Sequence, residues 1–294
     1  MQKIVKPLME LQIWNTVTDL AFGFLVTPIA FVPCNSGAVL GLLRLFQVPL
    51  WLQIFSGQIP LTNTAVAIIL LFENRYSAIV QTKYKMTRPT TRLLYQALCY
   101  MYSCFVLLPL IFFDLDQEKA KLECLRVIPC PIELFFEPDH FVIPGGISLL
   151  LFIIIFTIFL FCNILFYAIR ISYFLNYELQ FLTMSLKTQK MQKSSFIAIL
   201  LHTIFISILL GVPATYVVVV LIMQSYYNQA LNNLAVLFVS LHGPFSTVFM
   251  IFANRPYREY TMRIWNTGKM TLGPKSDLNQ DYSKHTTHVF QIVI

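Results

Sequence analysis

The residues able to do chemistry in this chain are polar groups set inside otherwise apolar stretches: Asp19, Asn63 and His242 above all, with Glu10 and His202 beside them. Asp19 lies 12 residues after Pro7, about 18 Å along a helix, which places it near the middle of a bilayer. An acid at that depth costs a few kcal/mol unless it faces other protein. It is expected to turn inward, either as a hydrogen-bond node with Asn and Ser of neighbouring helices or as an ion or proton site. Glu10, in the first turn, is expected to reach the interface. His202 and His242 read as neutral packing groups, because no carboxylate or Cys stands at metal-ligand spacing from them. The sequence has no Gly-rich phosphate loop, nucleophile elbow or His-Glu metal helix, so neither an enzyme nor a cofactor is expected.

The elements that must position these groups follow from composition. Of 294 residues, 57% are hydrophobic and 12% charged, and the mean hydropathy is +0.67. That leaves too little polar surface to coat a soluble globule, so the chain is expected in a lipid bilayer as an all-α polytopic helix bundle. A span needs roughly 20 mostly apolar residues. Six such runs occur, about 8–32, 46–72, 93–113, 146–169, 196–223 and 231–253. They do not alternate in polarity, which excludes barrel strands. Residues 1–260 then form the bundle and 261–294 a polar tail without a lipidation signature. The first run carries Glu10, Asn15 and Asp19, which argues against a cleaved signal peptide. In the second run Gln53, Ser56, Pro60, Asn63 and Ala67 share one helix face, expected to turn away from lipid. Pro28, Pro60, Pro109, Pro213 and Pro244 fall inside spans and are expected to kink them.

Orientation follows from charge. Seventeen of the 21 Lys and Arg fall on one side of the six runs and four on the other. The basic side is expected to be cytoplasmic, with both termini there. The net charge of +7 is thus a topology signal, and a nucleic-acid partner is rejected. Of six Cys, Cys34, Cys124 and Cys130 fall on the outer, oxidising side. Three is odd, so one disulfide with one thiol left over is expected. Cys34 with Cys130 is the favoured pair, tying the first outer loop to the long one, although sequence does not fix the pairing.

Several motifs carry a resemblance. They are Leu71-Phe72-Glu73-Asn74-Arg75-Tyr76, Asp116-Gln117-Glu118-Lys119-Ala120, Ile128-Pro129-Cys130-Pro131 and Tyr226-Tyr227-Asn228-Gln229-Ala230-Leu231-Asn232-Asn233, followed by Ser240 to Thr247 and Pro256-Tyr257-Arg258-Glu259. In this order they resemble the serpentine receptor class H family of nematode chemoreceptors, seven-transmembrane proteins similar to distant relatives of rhodopsin-like receptors. The resemblance implies a chemosensory G-protein-coupled receptor in the cell membrane of sensory neurons. Its partners would be a small-molecule ligand, the alpha subunit of a heterotrimeric G protein and the lipid bilayer. It also implies a cytoplasmic switch at Glu73, Asn74, Arg75 and Tyr76, in which the acid holds Arg75 at rest, with Pro256, Tyr257 and Arg258 at the inner end of the last span. Asn74 stands where an Asp/Glu-Arg-Tyr motif has no residue.

In the family, the helix similar to the first run is the second, preceded by a span from an extracellular N-terminus. The six runs and two inner termini therefore imply a truncated transcript or a six-helix variant without signalling competence. A ligand-gated channel subunit is the competing function, and a transporter a third; no run offers a pore-lining polar stripe or an internal repeat.

Overall fold

The computed structural model of the chain describes residues 2–80, 86, 88–105, 117–128, 130–137, 140–143, 146–178, 185–223, 227–253 and 258–265. Among these, α1 (Gln2–Leu20) buries Leu8, Leu11, Asn15 and Thr18. Their 3-4-3 spacing makes one narrow stripe, while Met9, Ile13, Val17 and Leu20 stay exposed on the other side. The stripe packs against α2 (Leu50–Ile79), the central helix. Every residue of α2 from Val66 to Tyr76 is buried, so this stretch is enclosed on all sides rather than on one face. Its neighbours are α1, α3 (Pro89–Phe105) and α5 (Gly146–Tyr173). Pro89 starts α3 at the position where a missing N–H costs nothing. The short helix α4 is Gln117–Val127, and the pair α6 (Leu186–Met223) and α7 (Gln229–Ala253) completes the bundle. Residues 258–265 form a further, fully exposed helix.

Four helices are long and apolar enough to cross a membrane among the described residues: α2, α6, α7 and, over Ile154–Tyr177, α5 with its terminal π turn. The expected spans 146–169, 196–223 and 231–253 lie inside α5, α6 and α7. The second run is shifted inward: its helix begins after Pro49 and continues to Ile79. The third has its helix over Pro89–Phe105, and its remainder, with Pro109, lies outside the described residues.

The first run is corrected most. Helix α1 passes into a π turn (Ala21–Leu25), Thr27 takes a positive φ of 42°, and Pro28–Phe31 is a strand, β1. The proline is not inside a helix at all. Pro28 and Pro33 bracket a β-branched and aromatic segment that suits a pleated surface better than a helix end. β1 pairs antiparallel with β2 (Ser36–Val39), and β2 with β3 (His140–Val142), to make a small lid over one end of the bundle. Gly41 passes so close under Leu25 and Val26 that a β-carbon would overlap their backbone.

The lid has its own core. Phe31, Ala38, Cys124, Ile128 and Phe135 are buried together, and Phe31 and Phe135 meet edge to face at 5.7 Å. The amide of Gln117 does the work of a fourth strand: Nε2 donates to the Val142 carbonyl (3.2 Å) and Oε1 accepts from the Val142 N–H (3.0 Å). Arg44 and Glu137 form a 3.0 Å ion pair that holds the helical turn Leu42–Leu45 to the lid. At the outer end of α7, Gln229 Nε2 donates to the Ala30 carbonyl (3.1 Å) and Asn232 Nδ2 to the Val32 carbonyl (3.2 Å). These two side chains of the Tyr226–Asn233 motif fasten β1 to the bundle.

The disulfide joins Cys34 to Cys124, not to Cys130, with Cα atoms 5.5 Å apart. Cys124 lies on the inward face of α4 against Phe31 and Phe135, whereas Cys130 is exposed beyond the helix end and free. Non-reducing peptide mapping should recover a Cys34–Cys124 cross-link. Cys124→Ser should lower thermal stability by about 2–4 kcal/mol, and Cys130→Ser should leave it unchanged.

His140 is 2% exposed, with both ring nitrogens unpartnered, packed 4.1 Å from the Phe135 ring. Burial first, and Lys121 second, push its imidazole down from 6.5 to about 4. The folded lid thus binds fewer protons than the unfolded one between these values. The stability that neutral His140 provides is complete above pH 6.5 and drains as pH falls toward about 4. Exchange of the β3 amides should accelerate over that window, and His140→Phe should flatten the dependence.

Candidate functional site

The buried run of α2 ends in polar residues. Glu73 is 1% exposed and Arg75 is 2% exposed, at a depth where an unpaired charge is costly. Two residues apart on a helix they point in nearly opposite directions, about 200° around the axis, and cannot meet. The expected Glu73–Arg75 pair is therefore replaced. Glu73 Oε2 accepts from both Nε (3.0 Å) and Nη2 (2.9 Å) of Arg92, in the first turn of α3. The same Arg92 Nη2 donates to Asn74 Oδ1 at 2.6 Å. One guanidinium thus binds two neighbouring α2 side chains and fixes the start of α3 against the end of α2.

Arg75 turns the other way, toward α6, where Nη2 donates to the backbone carbonyl of Gln192 at 3.0 Å. Its Nε has no hydrogen-bond partner, and neither has Glu73 Oε1. Tyr76 packs on Tyr167 (5.6 Å) and Phe166 (6.4 Å) of α5. Phe72 meets Phe196 of α6 edge to face at 6.5 Å. Four consecutive α2 residues therefore touch or bond three different helices. Pro256 and Tyr257 lie outside the described residues. Arg258 is exposed and donates from Nη1 to the Phe252 carbonyl at 3.1 Å.

A second polar layer lies deeper. Asn63 is buried and accepts from Ser103 Oγ at 2.6 Å, joining α2 to α3. Asp19 faces α7 and lies so close to Gly243 that any side chain there would overlap the carboxylate. One turn away, Asn15 Nδ2 donates to Ser246 Oγ (3.1 Å), which also bonds His202 Nε2 (2.8 Å). His242 is buried, with Nδ1 2.6 Å from the Val239 carbonyl, so that nitrogen carries the proton. Gln12 Oε1 accepts from Thr247 Oγ1 at 3.0 Å. Glu10 accepts from Tyr100 of α3 at 2.5 Å. Among the described residues no cluster of His, Cys, Asp or Glu could hold a metal ion.

Sequence reasoning missed Arg92, Gln192 and Ser246. Arg92 was legible: it is the cation in the first turn after Pro89, on the same side as the α2 end. The Gln192 carbonyl was not, since any residue supplies one.

Residues 1–267 match the family described as Serpentine type 7TM GPCR chemoreceptor Srh. The chain belongs to this family. It is also 24% identical over 273 residues to Serpentine receptor class H-72 of Caenorhabditis elegans, covering 92% of this chain and 78% of that one. No solved structure matches it. The chain is accordingly a multi-pass membrane protein of a chemosensory receptor family, and among the described residues α2 is its most enclosed helix.

Proposed function

We propose that this receptor detects a small-molecule ligand and passes the signal to the alpha subunit of a heterotrimeric G protein, across the membrane of a sensory neuron. The basic helix ends and both termini of the chain lie in the cytoplasm, residues 1–260 form the bundle, and 261–294 form a cytoplasmic tail. The observation that carries the reading is the state of Arg75. Its guanidinium is 2% exposed, and among the described residues its hydrogen bond goes to a carbonyl on another helix rather than to a carboxylate. Arg75 is held by this contact and by packing, and it is released when the inner end of α6 moves away from α2.

An agonist achieves this only through tighter binding to the open state; equal affinity for both would shift nothing. The Glu73–Arg92 pair keeps α3 attached to α2 while α6 departs, so the two contacts have different tasks. At the far end, Gln229 and Asn232 connect the lid to α7, which gives a ligand under the lid leverage on the bundle. With cells expressing the receptor and a Gα subunit, and a panel of small volatile compounds as probes, an active compound should accelerate nucleotide exchange. Arg75→Ala should abolish that response at unchanged surface expression. Unchanged exchange would remove the role assigned to Arg75, and an agonist-evoked current in cells lacking G proteins would mark a channel instead.

A further inference from the structure

Helix α6 spans 38 residues, about 57 Å, against a hydrocarbon core of about 30 Å. It therefore projects well beyond the bilayer. Its sequence from Leu186 to Met223 contains no acid, and its only formal charges are Lys187, Lys190 and Lys193, gathered in the first two turns. All three side chains are exposed, and no salt bridge engages them among the described residues. Cations at this end also oppose the helix dipole, which favours negative charge there. Ser185 Oγ accepts from the Thr188 N–H at 3.3 Å, so the helix start is already capped.

The direction of the lysines is what identifies a partner. Ile197, Leu201, Ile204 and Ile208 are 47–57% exposed and form the lipid-facing stripe of α6. At 100° per residue, Lys190 and Lys193 fall within about 40° of Ile197, and Lys187 within about 80°. Along the axis they stand roughly 6, 10 and 15 Å beyond Ile197, in the order Lys193, Lys190, Lys187. With Ile197 at the edge of the acyl chains, Lys193 stands within the headgroup layer, about 5–8 Å deep on each side, while Lys190 starts just beyond it on the same face, within reach of its flexible stem. A protein partner would meet these lysines from the end of the bundle; a lipid headgroup meets them from the side on which they stand.

We propose that Lys190 and Lys193, with Lys187 assisting, form a binding site for anionic phospholipid headgroups of the inner leaflet. The proposal rests on the orientation given above but not on G-protein signalling. On the opposite face of the same turn, the Gln192 carbonyl holds Arg75, so an occupied headgroup site steadies the helix segment that restrains that arginine.

The test uses the full chain in nanodiscs of phosphatidylcholine mixed with phosphatidylserine, reading co-retained lipid by native mass spectrometry. Wild type should retain phosphatidylserine over phosphatidylcholine. At about 1 kcal/mol per lysine, the Lys190→Gln/Lys193→Gln variant should lose roughly 30-fold in that preference. Lys190→Arg/Lys193→Arg should keep it, and high salt should weaken it. The proposal is overturned if the Gln variant, folded by its unchanged thermal transition, retains phosphatidylserine like wild type. It is also overturned if wild type shows no preference, or if an acidic peptide binds these lysines in phosphatidylcholine discs more tightly than phosphatidylserine does. The disc result does not depend on Gα, so it stands or falls separately from the signalling reading.

Discussion

A carboxylate enclosed in the middle of a protein must be neutralised, and the Glu73–Arg92 pair does this for the helix around which the bundle is built. Eleven residues of α2, Val66 to Tyr76, are buried, and the charges fall at the end of that stretch. Such a pair adds little net stability, because desolvation offsets most of the attraction, but losing Arg92 strands the enclosed Glu73 and costs about 3–5 kcal/mol. Its contribution is to specify one arrangement: Arg92 bonds both Glu73 and Asn74, so the start of α3 has a single docking position on α2. Arg75 is consequently left to α6, where a carbonyl is its hydrogen-bond acceptor.

The outer end is organised by different means. There the chain has few residues to spend on a core, and the lid combines five buried side chains, one disulfide and a glutamine amide that completes a sheet edge. Two α7 side chains fasten it to the bundle. The same helix carries His242, Gly243 and Ser246 at mid-depth, in contact with α1 and α6. Lid, α7 and the polar layer are therefore physically continuous, while the inner end is governed by α2.

Much of this was legible in the sequence because the bilayer imposes length and polarity on every span. The runs corresponding to α5, α6 and α7 were found from apolar length alone, and Asp19 was placed against protein because lipid would not accept it. What was not legible depended on direction or on contacts distant in sequence. Glu73 and Arg75 look paired in a linear motif, yet a helix turns them apart. Three outer cysteines cannot reveal which one lies on the buried face of α4. The segment from Pro28 to Pro33 continues the apolar run of α1, so apolar length alone counts it with the span, and its pairing with β2 shows that it is a strand. The family match extends over residues 1–267, and these local departures occur within it.

The most direct test is a pair of double-mutant cycles on the purified receptor in detergent, read as unfolding free energy. Arg92→Gln should destabilise by about 3–5 kcal/mol, Glu73→Gln, which leaves an Arg92 side chain 29% exposed, by less, and the double variant by far less than their sum. Glu73→Gln combined with Arg75→Gln should be additive. Additivity in the first cycle together with strong coupling in the second would contradict the account, because it would return the carboxylate to Arg75 and leave α3 without its anchor.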